Sequence, residues 1–336
     1  MLAFLIEEPR KARIVEVPRP VPAEDEVILE IKAVGLCGTD MHIYKGEYFG
    51  GYPRIPGHEF SGIIVEMGSR VKNFSLGQRV SADPNIFCES CRECQRNNQN
   101  FCLDFSAVGV DRHGAFAQYT AVPARCVFDT TGISFTESAM IEPLSCVVFG
   151  HQRIGSRLAE RVLILGAGPI GLMHLQTARL NGAAEVTVVD LIEDKLHLAR
   201  ELGAAQVYTA AEFEKAALKA HYELIIDCTG IPRVIENSLQ YLKEGGTFLL
   251  FGVCPNESQI TLNPYEIFRR QLTITSSFAL KKTFGLALDL VRNKRTTLLP
   301  LVDSRLPLTE APAFFQKLLQ GNRGMKAIFY PNGLEE

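Results

Sequence analysis

The segment from Arg161 to Asp190 constrains this chain more than any other. An apolar run from Arg161 to Leu165 enters Gly166, Ala167, Gly168, Pro169, Ile170 and Gly171. Leu172, Leu175, Ala178 and Arg179 follow at helical spacing, and Val186 to Val189 then run to Asp190. Strand, glycine turn, helix and strand make a βαβ unit with Gly-x-Gly-x-x-Gly at its first turn and an acid about 20 residues further on. Gly166 permits the sharp turn, Gly168 lets a pyrophosphate approach, and Gly171 lets helix and strand pack closely. The helix opening at Pro169 and Ile170 offers free N–H groups and a partial positive charge to phosphate. Asp190 can accept from both adenosine ribose hydroxyls, whereas a 2′-phosphate would meet a like charge there. Leu191 and Ile192 supply no arginine for such a phosphate, and Lys195 is the one nearby cation. The expected cofactor is NAD, with Thr229 added to the cofactor-binding set. Glycine motifs also occur in plain loops; here the flanking strands and the terminal Asp agree.

Composition supports two ordinary globular domains. The chain has 336 residues, 46% hydrophobic and 22% charged. A net charge of −3 leaves no basic footprint for nucleic acid. Met1 to Ile6 is too short an apolar start for a signal peptide and turns acidic at Glu7 and Glu8. No apolar run reaches the ~18 residues that span a membrane, so a cytoplasmic protein is expected. Nine cysteines, an odd number, argue against a disulfide framework. Cys126, Cys146, Cys228 and Cys254 read as small buried hydrophobes.

In chain order, residues 1–80 read as all-β, with short strands and glycine punctuation of a barrel-like domain. The polar stretch that follows has no periodicity and no apolar core of its own. It carries Cys88-x-x-Cys91-x-x-Cys94-x7-Cys102, four thiolates that can close a tetrahedral zinc shell and supply the folding free energy that burial cannot. No paired histidines follow, so a nucleic-acid finger does not fit. Thr136 begins a helical region. Beyond Asp190, strands at Gln206–Thr209, Leu224–Cys228, Gly246–Gly252 and from Leu272 alternate with helices, the pattern of a doubly wound parallel sheet. A helix near Phe284–Val291 and a strand at Lys326–Tyr330 close the chain.

Cys37, His58, Glu59 and Glu142 form a second ligand set, suited to zinc with one position open. Spacing alone does not bring them together, and each has an ordinary structural reading. With them, Gly35–Asp40, Gly57–Phe60, the four-cysteine lobe, Glu142–Ser145 and Gly166–Gly171 resemble the zinc-dependent medium-chain dehydrogenases over nearly the whole chain. Glu142–Ser145 and His58–Glu59 are most similar to the sorbitol (polyol) dehydrogenase branch, while Gly38–Tyr44 also resembles threonine dehydrogenase.

The resemblance implies a GroES-like β-barrel catalytic domain with a Rossmann domain. The expected bounds are 1–147 with a structural zinc lobe at 84–104, 148–277 for NAD, and 278–336 returning to the catalytic domain. It implies two zinc ions per chain, one catalytic and one structural. Cys37, His58 and Glu59 would be catalytic ligands, with Glu142 a fourth ligand or the holder of the zinc-bound water. Thr39 would start a proton relay and His42 receive the proton. The reaction would be oxidation of a secondary alcohol, most simply a polyol, with hydride passing to NAD in the cleft between the domains. Threonine, phosphorylated polyols and sugar acids stay open as substrates. Polyol members often carry an arginine after the last Rossmann strand; here Ser276–Leu280 has only Lys281 and Lys282 nearby. Homodimers or homotetramers are expected. A non-enzymatic binding protein would be expected to lose ligands that are all present here.

Overall fold

The computed structural model describes residues 1–47, 51–155, 157–216, 218–321 and 324–334. The chain forms two compact units. One comprises Met1–Ser145, Lys281–Lys294 and Leu301–Glu336; the other comprises Cys146–Leu280 and Arg295–Pro300.

The first unit opens with a hairpin, β1 (Leu2–Glu8) against β2 (Lys11–Glu16). Strand β3 (Glu26–Gly35) is almost wholly buried, as its near-continuous Val, Ile, Leu and Ala content requires. The expectation of an all-β start fails next: Gly38–Lys45 is a helix, α1. It has little amphipathic signal, burying only Asp40, Ile43 and Tyr44. Its ends specify it instead. Asp40 Oδ2 accepts from the Cys37 N–H at 2.9 Å, and Gly46 stops the helix at φ 83°. Strands β4 (Glu59–Met67) and β5 (Arg79–Ala82) follow.

The cysteine lobe lies between β6 (Asn85–Ile86) and β7 (Ser106–Ala107), with a single turn of helix, α2 (Arg92–Gln95). It does own a small core, contrary to the sequence reading. Phe87, Cys94 and Cys102 are buried there with Cys88, Cys91 and Phe105 against them. Four of those six residues are cysteines, so the cluster persists only if something binds the sulfurs. After β8 (Tyr119–Pro123) and β9 (Val127–Asp129) come helices α3 (Phe135–Ala139) and α4 (Ile141–Ile154).

The second unit holds a six-stranded parallel sheet in the order β12-β11-β10-β13-β14-β15. These are β10 (Arg161–Leu165), β11 (Glu185–Asp190), β12 (Gln206–Thr209), β13 (Tyr222–Asp227), β14 (Leu242–Leu250) and β15 (Thr273–Ser276). Helix α5 (Pro169–Leu180) connects β10 to β11, and α6 (Glu193–Glu201) connects β11 to β12. The residues 295–300, expected to belong with the tail, return to this unit. Thr297 N donates to Gln176 Oε1 at 2.6 Å, and Gln176 Nε2 donates to Thr297 O at 3.1 Å.

The chain then completes the first unit with β16 (Val302–Pro307) and β17 (Lys326–Tyr330). Its seven-stranded sheet runs β16-β17-β3-β4-β5-β9, with β8 also on β3. Phe315 fills the core between Phe4 and Phe116, at ring distances of 4.6 and 5.8 Å. Register decides what meets at the end of β3: Gly35 lies opposite Glu59 of β4 and opposite Ile328 of β17.

Candidate active site

Cys37 stands two residues past β3, and His58 and Glu59 stand at the start of β4. Gly57 feeds that start at φ 96°, and a Cβ there would lie 2.5 Å from the Phe116 ring. Cys37 Sγ, a ring nitrogen of His58 and a carboxylate oxygen of Glu59 all lie within 4.8 Å of one another. His58 and Glu59 are buried, Cys37 half-buried. Asp40, fully buried and unassigned from sequence, organises the group. Its Oδ1 accepts from Gly57 N at 3.0 Å and lies 3.5 Å from His58 Nδ1, while Oδ2 holds the Cys37 N–H. A carboxylate behind a ligating imidazole fixes the ring and raises its basicity. Burial opposes a charge on His58, but Asp40 and Cys37 outweigh it and hold the imidazole well above its ordinary value. Thiolate, imidazole and carboxylate in one dry, electron-rich group are the donors zinc takes when one position is left open.

Glu142, near the start of α4, is buried but lies outside that three-donor group. Burial pushes its carboxyl up to about 7; His58 opposes the rise, and Glu59 and Asp83 add to it. Thr39 Oγ1 is 3.8 Å from Cys37 Sγ. His42 follows one turn later on α1, with Nδ1 2.7 Å from Glu47 Oε2. Lys326, also unassigned from sequence, is buried and forms an ion pair with Glu59.

In the lobe, the sulfurs of Cys88, Cys91, Cys94 and Cys102 lie within 4.8 Å of one another. Cys88 to Cys102 is 3.5 Å, and Cys88 to Cys94 and Cys91 to Cys102 are 4.0 Å. Bonds of ~2.3 Å around tetrahedral zinc set sulfurs about 3.8 Å apart, which these values bracket. The N–H groups of Cys91 and Ser90 hold the Cys88 thiol down to about 6, as a ligating thiolate needs. Burial pushes Cys94 up to about 12, an opposing bias that a metal would remove. Lys281 Nζ donates to Asn97 O at 2.8 Å, and Lys282 lies 3.7 Å from Glu89. The two lysines that follow Ser276–Leu280 in the chain are thus engaged with this lobe, while Arg153 donates to Ser276 O at 3.4 Å.

At the dinucleotide turn, Gly166 adopts φ 101°, and a Cβ on Gly171 would lie 1.8 Å from Gly166 O. A Cβ on Gly168 would meet nothing within 4 Å, which leaves room above the N-terminus of α5. Asp190 Oδ2 accepts from Ala167 N at 2.7 Å, and Oδ1 accepts from Ile192 N at 3.0 Å. Sequence reasoning missed this tie between the acid and the turn. About four lone-pair sites on a carboxylate leave capacity for a ribose as well. Thr229 sits across from Gly166, beyond β13, its Oγ1 donating to Asp227 at 2.6 Å. Lys195 is half-buried on α6. Pro169 and Ile170 open α5 as expected. Gly166, Asp190 and Thr229 all lie at the carboxyl ends of parallel strands, where open α/β sheets bind ligands.

Residues 23–131 match the alcohol dehydrogenase GroES-like domain, and residues 169–293 match the zinc-binding dehydrogenase domain. D-arabinitol dehydrogenase 1 of Uromyces fabae is 36% identical over 288 residues, 83% of this chain and 82% of that protein. D-altritol 5-dehydrogenase of Agrobacterium fabrum is 34% identical over 334 residues, 98% of this chain and 99% of that protein. Among solved structures, a zinc-binding dehydrogenase from Sinorhizobium meliloti bound to NADP is 31% identical and superposes with a TM-score of 0.93, covering 98% of this chain and 99% of that one.

Proposed function

The chain belongs to the zinc-dependent medium-chain dehydrogenases, in their polyol dehydrogenase branch, and we propose that it oxidises a secondary hydroxyl of a neutral sugar alcohol to the ketone with NAD. The observation that carries this reading is the convergence of half-buried Cys37 with buried His58 and Glu59. Zinc bound there supplies a Lewis acid, and bound NAD supplies the hydride acceptor. The chain's own residues do the rest. Asp40 orients His58 and pins the backbone at Cys37. The Thr39 hydroxyl, beside Cys37, takes the substrate proton, and His42, held by Glu47, receives it. Glu142, buried with Glu59 and His58 among its electrostatic neighbours, would serve as a fourth ligand or would hold a water at the metal. In the second unit, Gly166, Gly168 and Gly171 receive the pyrophosphate, Asp190 the ribose hydroxyls, and Thr229 lines the turn. The four lobe cysteines close around a structural zinc.

A neutral polyol is favoured over a sugar phosphate or sugar acid, because Lys281 and Lys282 are engaged with the lobe and offer little to an anion. The carboxylate of Asp190, which keeps accepting capacity beyond its bonds to Ala167 and Ile192, supports NAD over NADP. The position of β15 at the end of its sheet supports a homodimer or homotetramer, and nine cysteines with none in a disulfide among the described residues, five of them in the two metal-ligand sets, support a cytoplasmic protein.

The test is a rate panel at the reduced-nicotinamide absorbance, run with both cofactors on protein of measured zinc content. Arabinitol, altritol, sorbitol, threonine, galactonate and a hexitol phosphate make the panel. The expected result is two zinc ions per chain and a neutral polyol as best substrate, with kcat/KM at least ~100-fold higher for NAD. Turnover confined to threonine or to the phosphorylated substrate would overturn the substrate assignment. Equal efficiency with NADP would overturn the role of Asp190.

A further inference from the structure

Lys326 opens β17 and is buried. Its Nζ donates to Leu36 O at 3.0 Å and forms an ion pair with Glu59 Oε2. Three strands build this contact. Leu36 N donates to Ala327 O at 3.0 Å, which seats the start of β17 against the end of β3. Gly35 of β3 faces Glu59 of β4. A Cβ on Gly35 would stand 2.3 Å from Glu59 Oε2 and 3.0 Å from Lys326 Cε, so glycine leaves the space in which ammonium and carboxylate meet. Lys326 also faces the charges of Cys37 and Glu142.

A buried carboxylate needs a countercharge; Glu59 has Lys326 in reach and would gain a second in a bound metal. A carboxylate that accepts from an ammonium has less electron density to give a metal. We propose that Lys326 is a positioning residue for the catalytic metal, sharing the Glu59 carboxylate so that this donor stays weak and a coordination position stays exchangeable for substrate. The inference rests on the reading that Cys37, His58 and Glu59 hold zinc. Without the lysine, Glu59 would have only the metal as countercharge and would hold it more tightly, closing the position an alcohol must enter.

The experiment uses full-length protein with Co(II) at the catalytic site and zinc retained in the lobe. Release of Co(II) to dipicolinate is followed by its visible absorption. Lys326→Met and Lys326→Gln remove the charge, and Lys326→Arg keeps it. Both neutral variants should release Co(II) about tenfold more slowly than the unmutated protein, the change that ~1.4 kcal/mol of tighter holding gives. They should raise KM for the polyol while leaving KM for NAD unchanged, and Lys326→Arg should release Co(II) at the unmutated rate. Equal or faster release from a neutral variant that keeps its lobe zinc overturns the proposal. Loss of the lobe zinc and of the fold in both neutral variants also overturns it, since Lys326 would then serve the fold alone. If the unmutated protein takes no metal outside the lobe, the assignment of Cys37, His58 and Glu59 fails first, and this inference with it.

Discussion

Thr39 and Asp190 show how much a single side chain is asked to do. The Thr39 hydroxyl lies beside Cys37 and is the group from which a substrate proton would depart. Thr39→Val should lower kcat by roughly the 10²–10⁴ typical of general acid–base help, and Thr39→Ser should keep most activity. Val and Ser variants of equal rate would send the relay elsewhere. On the proposed reading Asp190 would carry two duties, since its oxygens also accept the N–H groups of Ala167 and Ile192. Asp190→Ala should therefore weaken NAD through lost ribose bonds and a looser turn, shrinking the NAD:NADP ratio of kcat/KM toward one. A ratio that survives the substitution would place the discrimination in another residue. Cys37, His58 and Glu59 were legible as a joint ligand set only through the family resemblance of Gly35–Asp40 and Gly57–Phe60, since their spacing alone does not bring them together. Asp40 and Lys326 were not, because their roles depend on where a carboxylate and an ammonium point after folding.

At the scale of elements, α4 and α5 meet through a buried histidine pair. His174 Nδ1 is 3.2 Å from His151 Nε2, His151 Nδ1 is 3.2 Å from Asn181, and the His174 ring stands edge-on to Phe251 at 4.4 Å. Burial pushes His151 down to about 4, and burial with the His151 charge pushes His174 well below its ordinary value. Both rings are thus neutral in the fold, while the unfolded chain protonates them near 6.5. The unfolded state binds more protons below that pH, so stability falls as pH drops from 6.5 toward 4. For His151 the loss at the acid end is on the order of 3 kcal/mol. Melting followed from pH 7 to 5 should show the decline, and His174→Phe should flatten it; an unchanged slope in that variant would assign the acid sensitivity to other groups. Elements were legible where burial dictates them. Strands β10 and β11 read directly from apolar runs that are covered on both faces. Helix α1 did not, because its capping acid and terminal glycine define it while its apolar face is slight. The lobe was legible only through its cysteines.

At the scale of the whole molecule, β15 ends the six-stranded sheet with β14 as its single strand partner among the described residues. Unpaired edges of this kind are pairing sites unless blocked. Light scattering should therefore report a dimer or tetramer at working concentration, and a stable monomer would refute that expectation. The long-range sheet has a different consequence. β17 inserts between β16 and β3, and its lysine reaches the carbonyl of a residue 290 positions earlier. A polypeptide leaving the ribosome makes the strands of the parallel sheet long before it makes β17. At about 5–20 residues per second, the edge of β3 and the carboxylate of Glu59 wait many seconds for their partners. The last strand of the parallel sheet thus ends at Ser276, whereas the lysine beside Glu59 is residue 326. A chain cut short before β17 would leave the end of β3 without that strand partner and Glu59 without its ammonium.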